Sequence, residues 1–350
     1  MNQQIIAISW SHHTTPLFFR DQLTLTRNEI QKNSHLFLEH YPISELAVLS
    51  TCNRIEFYVL TETIDDVLPI IKNIYNVHLK RGIDWSQSIP EIYSNFKAVQ
   101  HLFRVATGME SMVLGEKQIL SQVKVAHETL IQIQPYAEVL KKVFQNSIDC
   151  ALSVHNDTPL STGLTSISEL AVLTAQHYFH SLDNKIVLIL GSGETATLAA
   201  HHFKAVGIQH MIIANRNELT GQSLSKDTSA SYLNIKHIHS KLGLCDIIVA
   251  ATHSKDYLIT KYQIEKNKIK HLLLFIDLSA PRNIDPSVCD IDNVVLYDLD
   301  QLDVTSANNR KENSESFSKA EQMIQNYCME TINWFQSSVF QDTELAFEEE

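Results

Sequence analysis

The chain has 350 residues, 44% of them hydrophobic and 19% charged, the balance of a folded globular protein of about two domains and not of a disordered or fibrous one. Its formal net charge of −12 argues against non-specific nucleic-acid binding, which needs Lys and Arg to neutralise phosphates, while leaving room for a local basic face. No apolar run approaches the ~20 residues of a membrane helix, and the start Met1-Asn-Gln-Gln-Ile-Ile-Ala-Ile8 lacks the basic and apolar parts of a secretory signal.

The five cysteines, at 52, 150, 245, 289 and 328, are scattered and in no metal-binding spacing. A cytoplasmic location with free thiols is expected, and no metal site.

In chain order, Ile5–Trp10 reads as a strand that leads into the loop Ser11-His12-His13-Thr14-Thr15-Pro16. A polar helix follows from Arg20 to about Tyr41. Two strand-like runs, 46–50 and 57–60, then flank Ser50-Thr51-Cys52-Asn53-Arg54-Ile55-Glu56. A Cys at a strand end with Thr51, Asn53 and Arg54 beside it suits covalent catalysis, because a guanidinium favours the nucleophilic thiolate. The local residues equally allow a small buried core side chain. His12 is placed to act as a base or orienter if the first loop lies beside the Cys, or simply to be solvated.

A helix near 65–77 comes next. From Ser94 to about His155 the pattern is helical, with Val99, Leu102, Phe103, Val105 and Ala106 on one apolar face and His101 beside it. The loop 108–118 opens a helix over 119–133. Glu116 suits a helix N-terminus, and Gln118 and Gln122, four apart, share a face that could bond a polar substrate or water. Another helix starts at Pro135, and the turn-rich Asn156-Asp157-Thr158-Pro159 marks the domain boundary.

The second half reads as βα repeats: a helix over 166–179, then strands 185–190, 210–215, 246–252, 271–277 and 294–297. Gly191-Ser192-Gly193-Glu194-Thr195-Ala196 has the G-x-G-x-x-G/A spacing between a strand and a helix, where a pyrophosphate binds. Asn215-Arg216 ends the next strand, where an acidic residue would hold the ribose hydroxyls of NAD. Arg216 there suits the 2′-phosphate of NADP, or is a solvated surface residue. Beyond Asp300 the chain is polar and helical to about Ser337, with an apolar stripe at Met323, Ile324, Tyr327, Ile332 and Phe335. The expected architecture is therefore α/β: an N-terminal α/β domain over 1–157, a Rossmann-type NADP-binding domain over 158–300, and a linking helix with a frayed tail over 301–350.

A reactive-Cys domain ahead of an NADP domain suggests acyl reduction through a thioester. The chain also resembles the glutamyl-tRNA reductase family in several blocks: Ser11–Pro16, Ser50–Glu56, His101-Leu-Phe-Arg-Val-Ala-Thr-Gly-Met-Glu-Ser-Met-Val-Leu-Gly-Glu-Lys-Gln-Ile-Leu120, Gly191–Glu194, Ile276–Pro286 and Leu296–Asp300. The resemblance implies NADPH-dependent reduction of glutamyl-tRNA(Glu) to glutamate-1-semialdehyde, the first step of 5-aminolevulinate and porphyrin biosynthesis. It implies Cys52 as nucleophile and His101 as a catalytic partner. Thr51, Asn53, Arg54, Ser111, Glu116, Lys117, Gln118 and Gln122 become substrate contacts, and glutamate-1-semialdehyde aminomutase a partner.

The chain departs from the family pattern at Lys117, where Pro is usual, and over 153–160, where a basic run is usual. It also stops where family members continue into a C-terminal dimerisation domain, so that domain is expected to be absent and the homodimer is left open. The alternatives are a shikimate-type dehydrogenase using only the second half, and a non-catalytic or regulatory relative.

Overall fold

The computed structural model describes residues 3–39, 43–51, 53–158, 160, 166–306 and 314–348. The chain divides into two compact units, one formed by 1–165 with 309–350 and the other by 166–308.

The first unit is built on a four-stranded antiparallel sheet of order β2-β3-β1-β4. Its strands are β1 (Gln4–Ser11), β2 (Ile43–Ser50), β3 (Arg54–Thr61) and β4 (Glu91–Ser94). Side chains alternate across a strand, so Ile5 and Ala7 of β1 face one layer while Ile6, Ile8 and Trp10 face the other. Both faces are covered. Helices α1 (Leu17–Leu23), α2 (Arg27–Leu38) and α3 (Val67–Asn73) pack on the Trp10 side. On the Ile5 side lie α4 (Phe96–Ala106), α5 (Gln118–Ile133) and α6 (Val139–Asp157). This double cover explains why β1 and β3 read as unbroken apolar runs although the sheet is antiparallel.

The expected single helix from Arg20 to Tyr41 is two helices, because Thr26 and Glu29 form a capping box that starts α2 afresh. The short edge strand β4 carries no distinct signal, since Glu91-Ile-Tyr-Ser94 offers only two half-turned apolar residues.

The second unit is a six-stranded parallel sheet of order β10-β9-β8-β5-β6-β7. Its strands are β5 (Ile186–Leu190), β6 (His210–Asn215), β7 (Ser231–Asn234), β8 (Ile247–Ala250), β9 (Leu273–Asp277) and β10 (Val294–Asp298). Counted from β5, the order is 3-2-1-4-5-6 reversed, the doubly wound dinucleotide fold, with its switch point between β5 and β8. Helices α7 (Ile167–Phe179), α8 (Glu194–Ala205), α9 (Glu218–Thr228), α10 (Lys261–Asn267) and α11 (Leu299–Ser306) complete it.

The last helix, α12 (Ser314–Glu348), returns to the first unit and packs on α4 and α6. Helix α12 thus contributes to the first unit's core. Its buried face is Ala320, Ile324, Cys328, Ile332 and Phe335, a near four-residue repeat, while Met323 and Tyr327 sit at the rim of that face. Among the described residues no helix is long and apolar enough to cross a membrane.

Candidate active site

The hairpin β2–β3 closes with Thr51 N–H donating to the Arg54 carbonyl at 2.8 Å. The Thr51 hydroxyl accepts from the backbone N–H of Asn53 (3.2 Å) and of Arg54 (3.1 Å), a local side-chain bond that fixes a tight turn. Cys52 lies outside the described residues; Thr51 and Asn53 on either side are both half-buried. The Asn53 carbonyl accepts from His12 N–H at 2.9 Å, so the first loop does lie beside the Cys-bearing turn. The imidazoles of His12 and His13 sit 3.9 Å apart between centroids.

Behind this turn is a buried ionic centre. Alternation along β3 puts Arg54, Glu56 and Tyr58 on one face, the face covered by α4. Glu56 is completely buried, Arg54 is 2% exposed and His101 7%. Glu56 Oε1 accepts from Arg54 Nη1, His101 Nε2 and Ser9 Oγ, each at 2.9 Å, and Oε2 accepts from Tyr58 Oη at 2.6 Å. Burial pushes the Glu56 carboxyl upward, but the charges of His101 and Arg54, with the bonds from His101 and Tyr58, outweigh it. The group is held well below the usual carboxylate range.

A carboxylate accepts only, so the His101 nitrogen facing it carries the proton: Nε2 donates. The other nitrogen, Nδ1, makes no hydrogen bond among the described residues, and the ring stacks on Tyr93 at 4.4 Å. The phenol of Tyr58 is driven far above its ordinary value by burial and by Glu56, so it stays a donor.

The Arg54 Nη2 donates to the main-chain carbonyl of Glu110. Each of its terminal nitrogens thus has one partner within the first unit. Glu110 sits in the loop between α4 and α5, which folds back tightly, with Gly115 N–H donating to the Gly108 carbonyl at 3.0 Å. Gly108 has φ +77°, and a Cβ there would lie 2.8 Å from Glu116 N, so the close approach requires glycine. Ser111 (5% exposed) and Glu116 (7%) are held in this loop.

Lys117 is exposed and occupies the N-cap position of α5 without a side-chain cap, and Gln118 and Gln122 are half-buried over the first two turns. The loop's outer handle is the Glu110 side chain, bonded by Arg104 Nε at 2.5 Å and lying 3.5 Å from His13 Nε2. Burial raises the Glu110 carboxyl, yet His13 and Arg104 bring it down to about 2.

Sequence reasoning overlooked Glu56, Tyr58, Ser9, Arg104 and Glu110. A signal existed for the first two. Arg54, Glu56 and Tyr58 are two apart in a strand, and two opposite charges on a face that is otherwise apolar imply a buried pair.

In the second unit, Gly191 follows β5 with φ +113°, and a Cβ there would lie 2.2 Å from the Ala251 carbonyl oxygen. Gly193 precedes α8, and its Cβ would meet nothing within 4 Å. The first glycine is thus demanded by the fold, whereas the space over the second is open for a ligand. Glu194 and Thr195 form the first turn of α8, and Ala196 packs inward at 0% exposure. Asn215 Nδ2 ties the next strand to this loop through Ser192 Oγ at 2.7 Å and Thr220 Oγ1 at 2.9 Å. A cleft of about 670 Å³ opens here, lined by Ser192, Thr197, Thr220, Ser223 and Lys226 among others. Arg216 is exposed and makes no ion pair or hydrogen bond among the described residues.

At the ends of β8 and β9, Asp277 is buried and accepts from the N–H groups of Ser279, Asn283 and Ile284 at 2.8–3.0 Å; burial still pushes its carboxyl up to about 6. Among the described residues no cluster of His, Cys, Asp or Glu has metal-binding geometry.

Residues 8–158 match the family model of the glutamyl-tRNAGlu reductase N-terminal domain, and residues 173–305 that of shikimate/quinate 5-dehydrogenase. The chain is 30% identical to a glutamyl-tRNA reductase from Alkalilimnicola ehrlichii, over 94% of this chain and 74% of the relative. It is 32% identical to one from Syntrophobacter fumaroxidans, over 94% and 72%. Among solved structures it is similar in fold to the glutamyl-tRNA reductase from Methanopyrus kandleri, with a TM-score of 0.51 and 24% identity over 95% of this chain and 80% of that one.

Proposed function

The chain belongs to the glutamyl-tRNA reductase family, the oxidoreductases that open the C5 route to tetrapyrroles, and we propose how its own residues carry out that reduction. Cys52 is the nucleophile. Its thiolate attacks the ester carbonyl that joins glutamate to the tRNA 3′ end. The alkoxide leaves with a proton, and the glutamyl group remains as a thioester. NADPH held at the Gly191–Ala196 turn would supply the hydride that takes the thioester to the aldehyde, with the Cys52 thiolate released.

The observation that carries this reading is the pair formed by Glu56, on the strand leaving the Cys52 turn, and His101 of α4. With Nε2 donating to an ionised carboxylate, His101 in its neutral form has Nδ1 left as the proton acceptor, the arrangement of a base held in one tautomer by a buried acid. Arg54 keeps Glu56 charged, and it meets the substrate carboxylate with the guanidinium edge that Glu56 and Glu110 do not use. Thr51, Asn53, Ser111, Glu116, Lys117, Gln118 and Gln122 bond the remaining polar groups of the glutamyl moiety.

The dinucleotide fits the second unit on three counts: the open space over Gly193, the N-terminus of α8, and the unengaged cation Arg216, which selects the 2′-phosphate of NADPH. A dehydrogenase acting through 166–308 alone has no use for the buried centre of the other unit. The test is turnover of charged glutamyl-tRNA with NADPH and trapping of the semialdehyde. Cys52→Ser is expected to form neither thioester nor aldehyde while remaining folded; near-normal turnover of that variant refutes the covalent scheme.

A further inference from the structure

The longest helix touches the substrate loop through one salt-bridge relay. Arg104, on the last turns of α4, lies between two carboxylates from different parts of the first unit: Glu110 of the substrate loop and Glu321 of α12. Its guanidinium also lies over the ring of Phe317 of α12, at 5.9 Å. Glu110 then acts twice. Its side chain takes Arg104 and its main-chain carbonyl takes Arg54, the residue that holds Glu56 and through it His101. The loop cannot yield independently of Glu110. Its backbone is closed by Gly115 N–H to Gly108 O, by Ser111 N–H to Gly108 O and by Glu116 N–H to Val113 O, over a crossing too close for any Cβ at Gly108. A displacement of Glu110 therefore displaces Ser111 and Glu116 with it.

We infer that α12 is a structural arm of the substrate site: Glu321, acting through Arg104, sets the position of Glu110 and so of the loop and guanidinium that bind the glutamyl group. Arg104 and Glu321 are positioning residues that touch no reacting atom. The inference relies on the reductase reading for what the loop binds, but not for the mechanical link itself. The link is partly exposed at Glu321 (31%), and Arg104 is held between two acids. Losing one charge-assisted bond at such a joint shifts binding by about tenfold.

The experiment uses the full chain with Glu321→Gln and Arg104→Lys. Glu321→Gln keeps the shape and removes the charge; Arg104→Lys keeps the charge and loses the fork that spans both acids. Two readouts are taken, hydrogen exchange of the loop 107–117 and steady-state kinetics with charged tRNA. In both variants the loop is expected to exchange faster, while the β5 strand of the other unit is unchanged. KM for glutamyl-tRNA should rise about tenfold in Glu321→Gln, with kcat within about twofold and KM for NADPH unaltered. Unchanged loop exchange and KM in folded variants overturn the inference. So does a uniform speeding of exchange across α4, α6 and α12 with KM unmoved, which is the signature of a purely stabilising salt bridge. Absence of turnover in the unmodified chain counts against the reductase reading alone, because loop exchange still decides whether α12 controls the loop.

Discussion

Replacing Glu56 by Gln tests the buried centre most directly. The amide has the carboxylate's shape, so Oε1 can still accept from Ser9, Arg54 and His101 while the NH2 turns toward Tyr58 Oη, which can accept. What is lost is the charge. Arg54, 2% exposed, is left as an uncompensated buried cation, a change that costs about 3–5 kcal/mol when one partner of a buried pair is removed. Because the shape and acceptors persist, the lower end applies, about 3 kcal/mol, or about 6 to 12 °C in the melting temperature of a unit this size.

His101 keeps its Nε2–H bond to the amide oxygen but loses the negative charge behind it as it takes up a proton, and turnover should fall about 100-fold or more. The assays are thermal and denaturant unfolding of the full chain beside kcat for glutamyl-tRNA reduction. Combining Glu56→Gln with Arg54→Gln should recover part of the stability, a coupling of about 2 kcal/mol in a double-mutant cycle. A loss of stability below about 1 kcal/mol, or turnover within a few-fold of normal, would show that neither Arg54 nor His101 depends on the Glu56 charge.

The glycine pair of the second unit should separate cleanly. Gly191→Ala forces a Cβ against the Ala251 carbonyl at a left-handed φ and should destabilise that unit by several degrees even without cofactor, whereas Gly193→Ala should leave the melting temperature intact and weaken NADPH binding in a titration. Arg216→Asp should weaken NADPH at least about tenfold more than NADH, and equal losses would remove the 2′-phosphate assignment.

On the acid side, Glu110 is depressed to about 2 from an ordinary 4.5, so its ionised form favours the fold. That contribution is complete above pH 4.5 and is lost as pH falls toward 2, with Glu56 going lower still. Denaturant midpoints measured from pH 7 to 2 should therefore drop along this limb, and Glu110→Gln should flatten it.

Five of the six strands of the second unit's sheet and the turn at Gly191 were legible in the chain because each is a local matter, whereas the short edge strand β7, with no continuous apolar run, was not. A strand covered on both faces is a continuous apolar run, and a glycine that must pass a carbonyl is followed at fixed spacing by the helix it opens. Thr51–Arg54 was visible as the connection between two strand-like runs, but not that the Thr51 hydroxyl closes it as a turn. The division of labour around it was not.

Whether Arg54 faces substrate or Glu56, and which nitrogen of His101 is free, depends on β1, β3 and α4 meeting across more than forty residues of sequence. Charges read singly along the chain carry no sign of the partner that burial will force on them. The late helix shows the same limit. Its amphipathic spacing announced a buried stripe, but only the tertiary fold decided that the stripe packs on α4 and α6 and so brings Glu321 to Arg104. An apolar face specifies that something must cover it, and the geometry of the rest of the molecule determines what does.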